Sequence, residues 1–221
     1  MGNGNSPEIW EWAEYYCPWC YVAAVRLHKI MPEYQGRVKL RQRAFPLEIY
    51  GGGPPNRNEI ELEIWLAALQ EPEAVFKPFK EDWPSTTLPA FEAAWCAFQQ
   101  GETIGHDFDL RIRKVFFTEG RNIGQREVML ELAHEAGLDL GQFTRLFNSG
   151  EAHTAVLEED DWVRIFTKSV GHRLLCWLTQ RSCVTQLPIQ TSKMEKPCRL
   201  ISCHVAARAV MQPPAPYSNR P

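Results

Sequence analysis

Residues 16–21, Tyr16-Cys17-Pro18-Trp19-Cys20-Tyr21, decide how this chain is read. Upstream, Ile9 to Tyr16 is apolar and aromatic with no Gly or Pro, the composition of a buried strand. Downstream, Tyr21 to Met31 has the apolar pattern of a helix, and Pro32 stops it. Val38, Leu40 and Gln42 then alternate with Lys39 and Arg41, which predicts a second strand up to Phe45. Strand, Cys-x-x-Cys turn, helix, strand is an α/β unit with a redox pair at its centre. A sulfur at a helix N-terminus meets unpaired backbone N–H groups and the positive end of the helix dipole. Both favour a thiolate at Cys17, the nucleophile of thiol–disulfide exchange, and place Cys20 one turn on as the resolving thiol. Pro18 fits the first helical turn, where no N–H is needed. Trp19 adds no positive charge, so less oxidising power is expected than a basic residue there would give. Glu14, three residues before Cys17, is either a proton acceptor for Cys20 or a solvated charge at the strand end.

Beyond Phe45 the pattern changes. Gly51-Gly52-Gly53-Pro54-Pro55 is a break. Helical stretches follow at Glu59 to Leu69, Leu88 to Gln99, His106 to Glu119, Gln125 to Glu135 and Leu138 to Phe147. Gly120, Gly137 and Gly150 stand at their C-caps. The expected organisation is residues 1–58 as an N-terminal segment of strand, cysteine turn, helix and strand, 59–150 as an inserted all-helical domain, and 151–221 as a return segment and divergent tail. The tail carries Cys176, Cys183, Cys198 and Cys203 and many basic residues, opposed only by Asp161 and Glu195. It shows no strand pair or amphipathic helix, so the C-terminal part of the core is expected to be incomplete.

With 221 residues, 44% of them hydrophobic, the chain can bury a substantial core. A net charge of −3 gives no case for nucleic acid as a partner. No apolar run approaches the ~20 residues of a membrane span. Met1 to Ser6 reads as a flexible polar leader, and its Gly2 and Ser6 fit only a loose myristoylation pattern. Seven cysteines without a secretion signal point to the reducing cytoplasm and to catalytic or metal-binding use. A zinc site would need a second well-spaced pair, and Cys198 with Cys203-His204 is a poor one, so no metal and no bound cofactor are expected. Cys96 reads as core packing. His28, His106, His134 and His153 read as surface or satisfied side chains.

Trp12-Ala13-Glu14-Tyr15-Tyr16-Cys17-Pro18-Trp19-Cys20-Tyr21 resembles the active-site segment of DsbA-family oxidoreductases of the FrnE-like branch. Phe108 to Phe117, Gly120-Arg121-Asn122-Ile123 and Ala136-Gly137-Leu138-Asp139 resemble that branch's helical insertion. The resemblance runs from Ser6 to about Glu159. It implies a thioredoxin-like fold with a helical insertion, Cys17 as nucleophile, Cys20 as resolving thiol, and protein or low-molecular-weight disulfides and thiols as substrates. The kappa glutathione transferases and hydroxychromene carboxylate isomerases share the architecture but lack the cysteine pair. A glutathione-dependent transferase or isomerase is therefore the alternative activity, and a non-catalytic product with a broken core is the third reading.

The family continues with Val-x-Gly-Thr-Pro, whose proline is cis and faces the active-site sulfur. Neither Pro188 nor Pro197 has that context. The missing segment emerges if the tail is read in another frame. Permitted codons for Leu175-Cys176-Trp177-Leu178-Thr179 give M-L-A-D one base earlier, and extension back to Ser169 gives V-x-G-T-P-T-L. Cys followed by Trp forces Leu in that frame, whichever Cys codon is used. The expectation is a frameshift between Asp160 and Lys168 and an activity impaired by the lost proline segment.

Overall fold

The computed structural model describes residues 6–170 and two short strands at 184–186 and 200–202. Strand β1 (Glu8–Ala13) is followed by helix α1 (Pro18–Ile30), a 3-10 turn (Met31–Tyr34) and strand β2 (Lys39–Ala44). β1 and β2 pair in parallel, in register from Glu8↔Lys39 to Ala13↔Ala44. Period-two alternation on β1 explains its two faces. Ile9 packs with Leu27 of α1 and Leu40 of β2, whereas Trp12 on the opposite face packs with Phe45.

Two strands from the tail complete a four-stranded sheet of order β2-β1-β3-β4. β3 (Val184–Gln186) runs antiparallel to β1, and β4 (Leu200–Ser202) runs antiparallel to β3. This corrects the expectation of no strand pair in the tail. Three-residue strands are too short to show an alternation that sequence can reveal. β1 is thus paired on both sides, and among the described residues β2 and β4 form the two edges. Pro188, Pro197, Cys176 and the out-of-frame segment from Gly171 to Thr179 lie outside the described residues, which contain no cis peptide bond.

Between β2 and the tail the described chain is helical: α2 (Leu47–Gly51), α3 (Arg57–Ala68), α4 (Leu88–Phe98), α5 (Glu102–Lys114), α6 (Arg126–Glu135), α7 (Leu140–Ser149) and α8 (Glu151–Val170). The expected helices are present within a few residues, and Gly120, Gly137 and Gly150 all adopt the left-handed conformation expected of C-caps. α2 and α8 are additions to the sequence reading. α8 packs on α4 and α7, and its Glu159 accepts from Arg43 Nη1 and from the backbone N–H of Ala44, both at 2.7 Å, tying β2 to the helices.

After Lys114 the helix opens into a π-turn (Val115–Glu119). Phe116 and Phe117, adjacent in sequence, are both buried there. They join Phe76, Phe79 and Trp83 in an aromatic cluster that also receives Tyr16 and Tyr21. Tyr21 stacks on Phe117 at 5.2 Å, and Tyr16 stacks on Trp83 at 5.5 Å. The residues on either side of the Cys-Pro-Trp-Cys turn are therefore anchored in the helical block.

Candidate functional site

Cys17 is the N-cap of α1, with Pro18 at the first helical position. Its sulfur accepts the backbone N–H of Cys20 at 3.2 Å, so one of the orphan donors of the helix start points at Cys17 Sγ. Cys20 Sγ accepts the N–H of Glu14 at 3.5 Å, and the two thiols are hydrogen-bonded to each other. Both are free thiols. Burial, and then the bond to Cys17, push the Cys20 thiol well above its ordinary value, while the Arg113 guanidinium pulls the other way. Neither thiol is open to solvent: Cys17 is 1% exposed and Cys20 0%, because Ala13, Ala23 and Trp19 pack around the pair.

Glu14 is neither solvated nor directed at Cys20 through its carboxylate. It is fully buried and accepts the backbone N–H groups of Tyr15 (2.6 Å), Tyr16 (3.1 Å) and Leu47, and the hydroxyl of Thr87 (3.0 Å). These bonds fix the backbone entering the cysteine turn to the start of α2 and α4. Burial pushes the Glu14 carboxyl up to about 7 against the four hydrogen bonds that hold it down. Trp19 bonds to Glu63 of α3.

Beneath the turn lies a buried ionic network that sequence reasoning did not single out. Arg113 Nε and Nη2 donate to Asp109 at 2.9 and 3.1 Å, and Nη1 donates to the Glu14 carbonyl at 2.9 Å. The guanidinium lies 4.5 Å from the centre of the Tyr15 ring, and the Tyr15 hydroxyl donates to Asp109 at 2.7 Å. Glu11, buried on β1, feels both Arg113 and Asp109, and burial pushes its carboxyl up to about 7. The available signal was spacing. Asp109 and Arg113 share one helical face with the apolar Phe108, Ile112 and Phe116, and Glu11 sits in the middle of a strand read as buried.

Cys96 is buried as expected, which pushes its thiol up to about 12. His28 faces Asp107 at 3.6 Å, His153 meets Glu92 at 2.8 Å, and His106 packs edge-on to Phe98 and bonds to the backbone of Leu40. Among the described residues, no group of three or more His, Cys, Asp or Glu side chains is placed to hold a metal, and no helix is long and apolar enough to cross a membrane.

Comparison with known proteins agrees with this geometry. The family model for the DSBA-like thioredoxin domain matches residues 8–163. The uncharacterized protein YwbO of Bacillus subtilis (strain 168) is 26% identical over 142 residues, covering 60% of this chain and 67% of that protein. Among solved structures, the cytosolic disulfide reductase DsbM from Pseudomonas aeruginosa superposes with a TM-score of 0.65 at 20% identity, over 93% of each chain. That protein has also been solved with GSH. A 2-hydroxychromene-2-carboxylate isomerase gives a TM-score of 0.56 at 16% identity, over 83% of this chain and 86% of that one. At these identities the structural likeness speaks to the fold.

Proposed function

Because the chain belongs to the DSBA-like thioredoxin domain family, we propose that it is a thiol–disulfide oxidoreductase working through Cys17 and Cys20. The observation that carries this reading is the capping geometry: Cys17 Sγ takes the place of a capping oxygen at the start of α1, bonded to the Cys20 N–H. In the reducing direction the Cys17 thiolate attacks one sulfur of a substrate disulfide. A Cys17–substrate disulfide forms, the substrate S–S bond breaks, and one substrate thiolate leaves. Cys20 then gives up its proton and attacks Cys17 Sγ, which forms the Cys17–Cys20 disulfide and releases the second substrate thiolate. Two electrons pass from the dithiol to the substrate, and the oxidising direction is the reverse. Arg113 favours the thiolate of Cys20 in the second step.

The substrates are protein disulfides or small thiols and disulfides, and DsbM with GSH makes glutathione the small thiol to test. The cytosolic character of DsbM supports a cytoplasmic setting. The inserted helical domain at 59–150 serves to hold the cysteine turn, through Tyr16 and Tyr21. The frame change between Asp160 and Lys168 is supported by the end of the family match at residue 163, and the coding DNA decides it.

The test is insulin disulfide reduction. Cys17→Ser abolishes turnover, and Cys20→Ser accumulates mixed disulfides with the substrate. Normal turnover by either variant refutes the roles. Glutathione conjugation or isomerisation that persists in Cys17→Ser would instead favour the transferase reading.

A further inference from the structure

Something must move before Cys17 can meet a disulfide. Exchange depends on access of the attacking thiolate to a substrate sulfur, and a side chain 1% exposed gives none. Among the described residues, Ala13, Ala23 and Trp19 are the apolar groups packed around the pair. Ala13 ends β1 and Ala23 lies within α1, and neither methyl can move without its backbone. Trp19 is half-buried, and its indole can turn about its own χ angles.

What holds the indole is on α3. The indole N–H, the one donor of a Trp side chain, donates to Glu63. Arg26 donates to the Gln70 carbonyl, and Lys29 donates to Glu73 at 2.9 Å. Each of these three pairs is 44 positions apart, so α3 and the turn after it run alongside α1 in the same direction and in one register. Arg26 and Lys29 also meet Glu71, at 3.1 and 3.2 Å, which pins the far end of that register. Its near end is the Trp19–Glu63 bond, at the redox turn. Glu63 is costly where it stands. It is half-buried, and Glu59, one turn before it, is a like charge at i, i+4. Burial pushes the Glu63 carboxyl above its ordinary value, and the bond from Trp19 opposes that shift. A neutral residue there would spare the helix both costs; what Glu63 adds is an acceptor for Trp19.

We propose that Trp19 is a gate over the cysteine pair and that Glu63 is the positioning residue that latches it shut. The inference rests on the reading of Cys17 as the attacking thiol. With the latch made, the indole lies against the pair and withholds Cys17 from disulfides in solution. With the latch broken, the indole swings out and the sulfur is reached. Opening is thus a step of every turnover, and closing shields the dithiol from chance oxidants.

The test is the rate at which iodoacetamide labels Cys17 in the reduced full-length protein, read by peptide mass spectrometry between about pH 6 and 9, where thiols titrate. Glu63→Ala removes the acceptor, Trp19→Phe removes the donor, and Glu63→Gln removes the charge but keeps an acceptor. A gated thiol is labelled in proportion to the fraction open. Glu63→Ala and Trp19→Phe should each label at least about tenfold faster than wild type, equivalent to about 1.4 kcal/mol lost from the closed state. Glu63→Gln should stay near wild type, and combining Glu63→Ala with Trp19→Phe should add nothing to either. The pH of half-maximal labelling should be the same in all of them. Cys96, buried in the helical block, reports loosening of the whole molecule, and its labelling should not change. A Glu63→Ala rate within about twofold of wild type overturns the latch. A Glu63→Gln variant as fast as Glu63→Ala, with its pH profile shifted, also overturns it, because Glu63 then acts on the thiolate by charge. A Cys96 rate that rises in step with Cys17 overturns it too, because the bond then serves stability alone. None of these readouts uses turnover. Failure of the oxidoreductase reading shows separately, as insulin reduction unchanged in Cys17→Ser.

Discussion

Replacing Arg113 by Met should test the ionic network beneath the cysteines most directly. The guanidinium is almost wholly buried and makes two bonds to Asp109, one to the Glu14 carbonyl and a stacked contact with Tyr15. Met approximates the volume but leaves the Asp109 carboxylate buried, with the Tyr15 hydroxyl as its remaining side-chain donor among the bonds described above. Breaking a buried pair from one side costs about 3–5 kcal/mol. The whole domain is stable by about 5–15 kcal/mol, so the loss is a large fraction of the total. For a chain of this size each kcal/mol is worth about 2–4 °C, giving a fall in Tm of roughly 6–20 °C. Thermal and urea unfolding followed by circular dichroism measure it. Adding Asp109→Leu removes the stranded charge and should recover most of the loss. It leaves about 0.5–1.5 kcal/mol unrecovered for the Tyr15 hydroxyl bond. A single variant within about 1 kcal/mol of wild type, or a double variant no better than the single, would refute the view that Arg113 neutralises Asp109 in the core.

Two further outcomes follow from the same geometry. Alkylation of the reduced protein at neutral pH, read by peptide mass spectrometry, labels Cys17 before Cys20, because burial and the bond to Cys17 hold the Cys20 thiol protonated; preferential labelling of Cys20 reverses the assignment of roles. Glu11 rises from an ordinary 4.5 to about 7, so the folded state holds its proton more tightly than the unfolded chain does. Its contribution to stability is present at low pH and is lost as pH climbs from about 4.5 to 7. Urea unfolding across that window should show a shallower decline for Glu11→Gln than for wild type, with the share of Glu14 retained, and parallel slopes would contradict the burial argument.

The thioredoxin half was legible because its signals are local. The cysteine turn, Pro18 at the helix start and the alternation in β2 each report on neighbours within a few residues. The helices from α3 to α7 were legible for the same reason. Helix α8 was not, since Glu151 to Asp161 is largely charged and its buried side, Ala152, Val156 and Asp160, includes a carboxylate that reads as solvated. The segment between α3 and α4 gave no periodic signal, yet it delivers Phe76, Phe79 and Trp83 to the aromatic cluster. The ionic network was hidden by distance: Tyr15 and Asp109 are 94 positions apart, and Glu14 and Arg113 are 99. Its charges looked like ordinary surface residues until folding brought them under the cysteines. The same applies to Glu14, whose fate depended on Leu47 and Thr87.

The anchoring of Tyr16 and Tyr21 among Phe116, Phe117 and Trp83 makes the redox turn a keystone set between two arches. Neither the sheet nor the helical block can loosen alone without shifting the backbone that aims the two sulfurs. Electron exchange and mechanical integrity therefore share one failure point. The temperature at which the aromatic cluster melts is an upper limit for the chemistry, even where the sheet itself would survive.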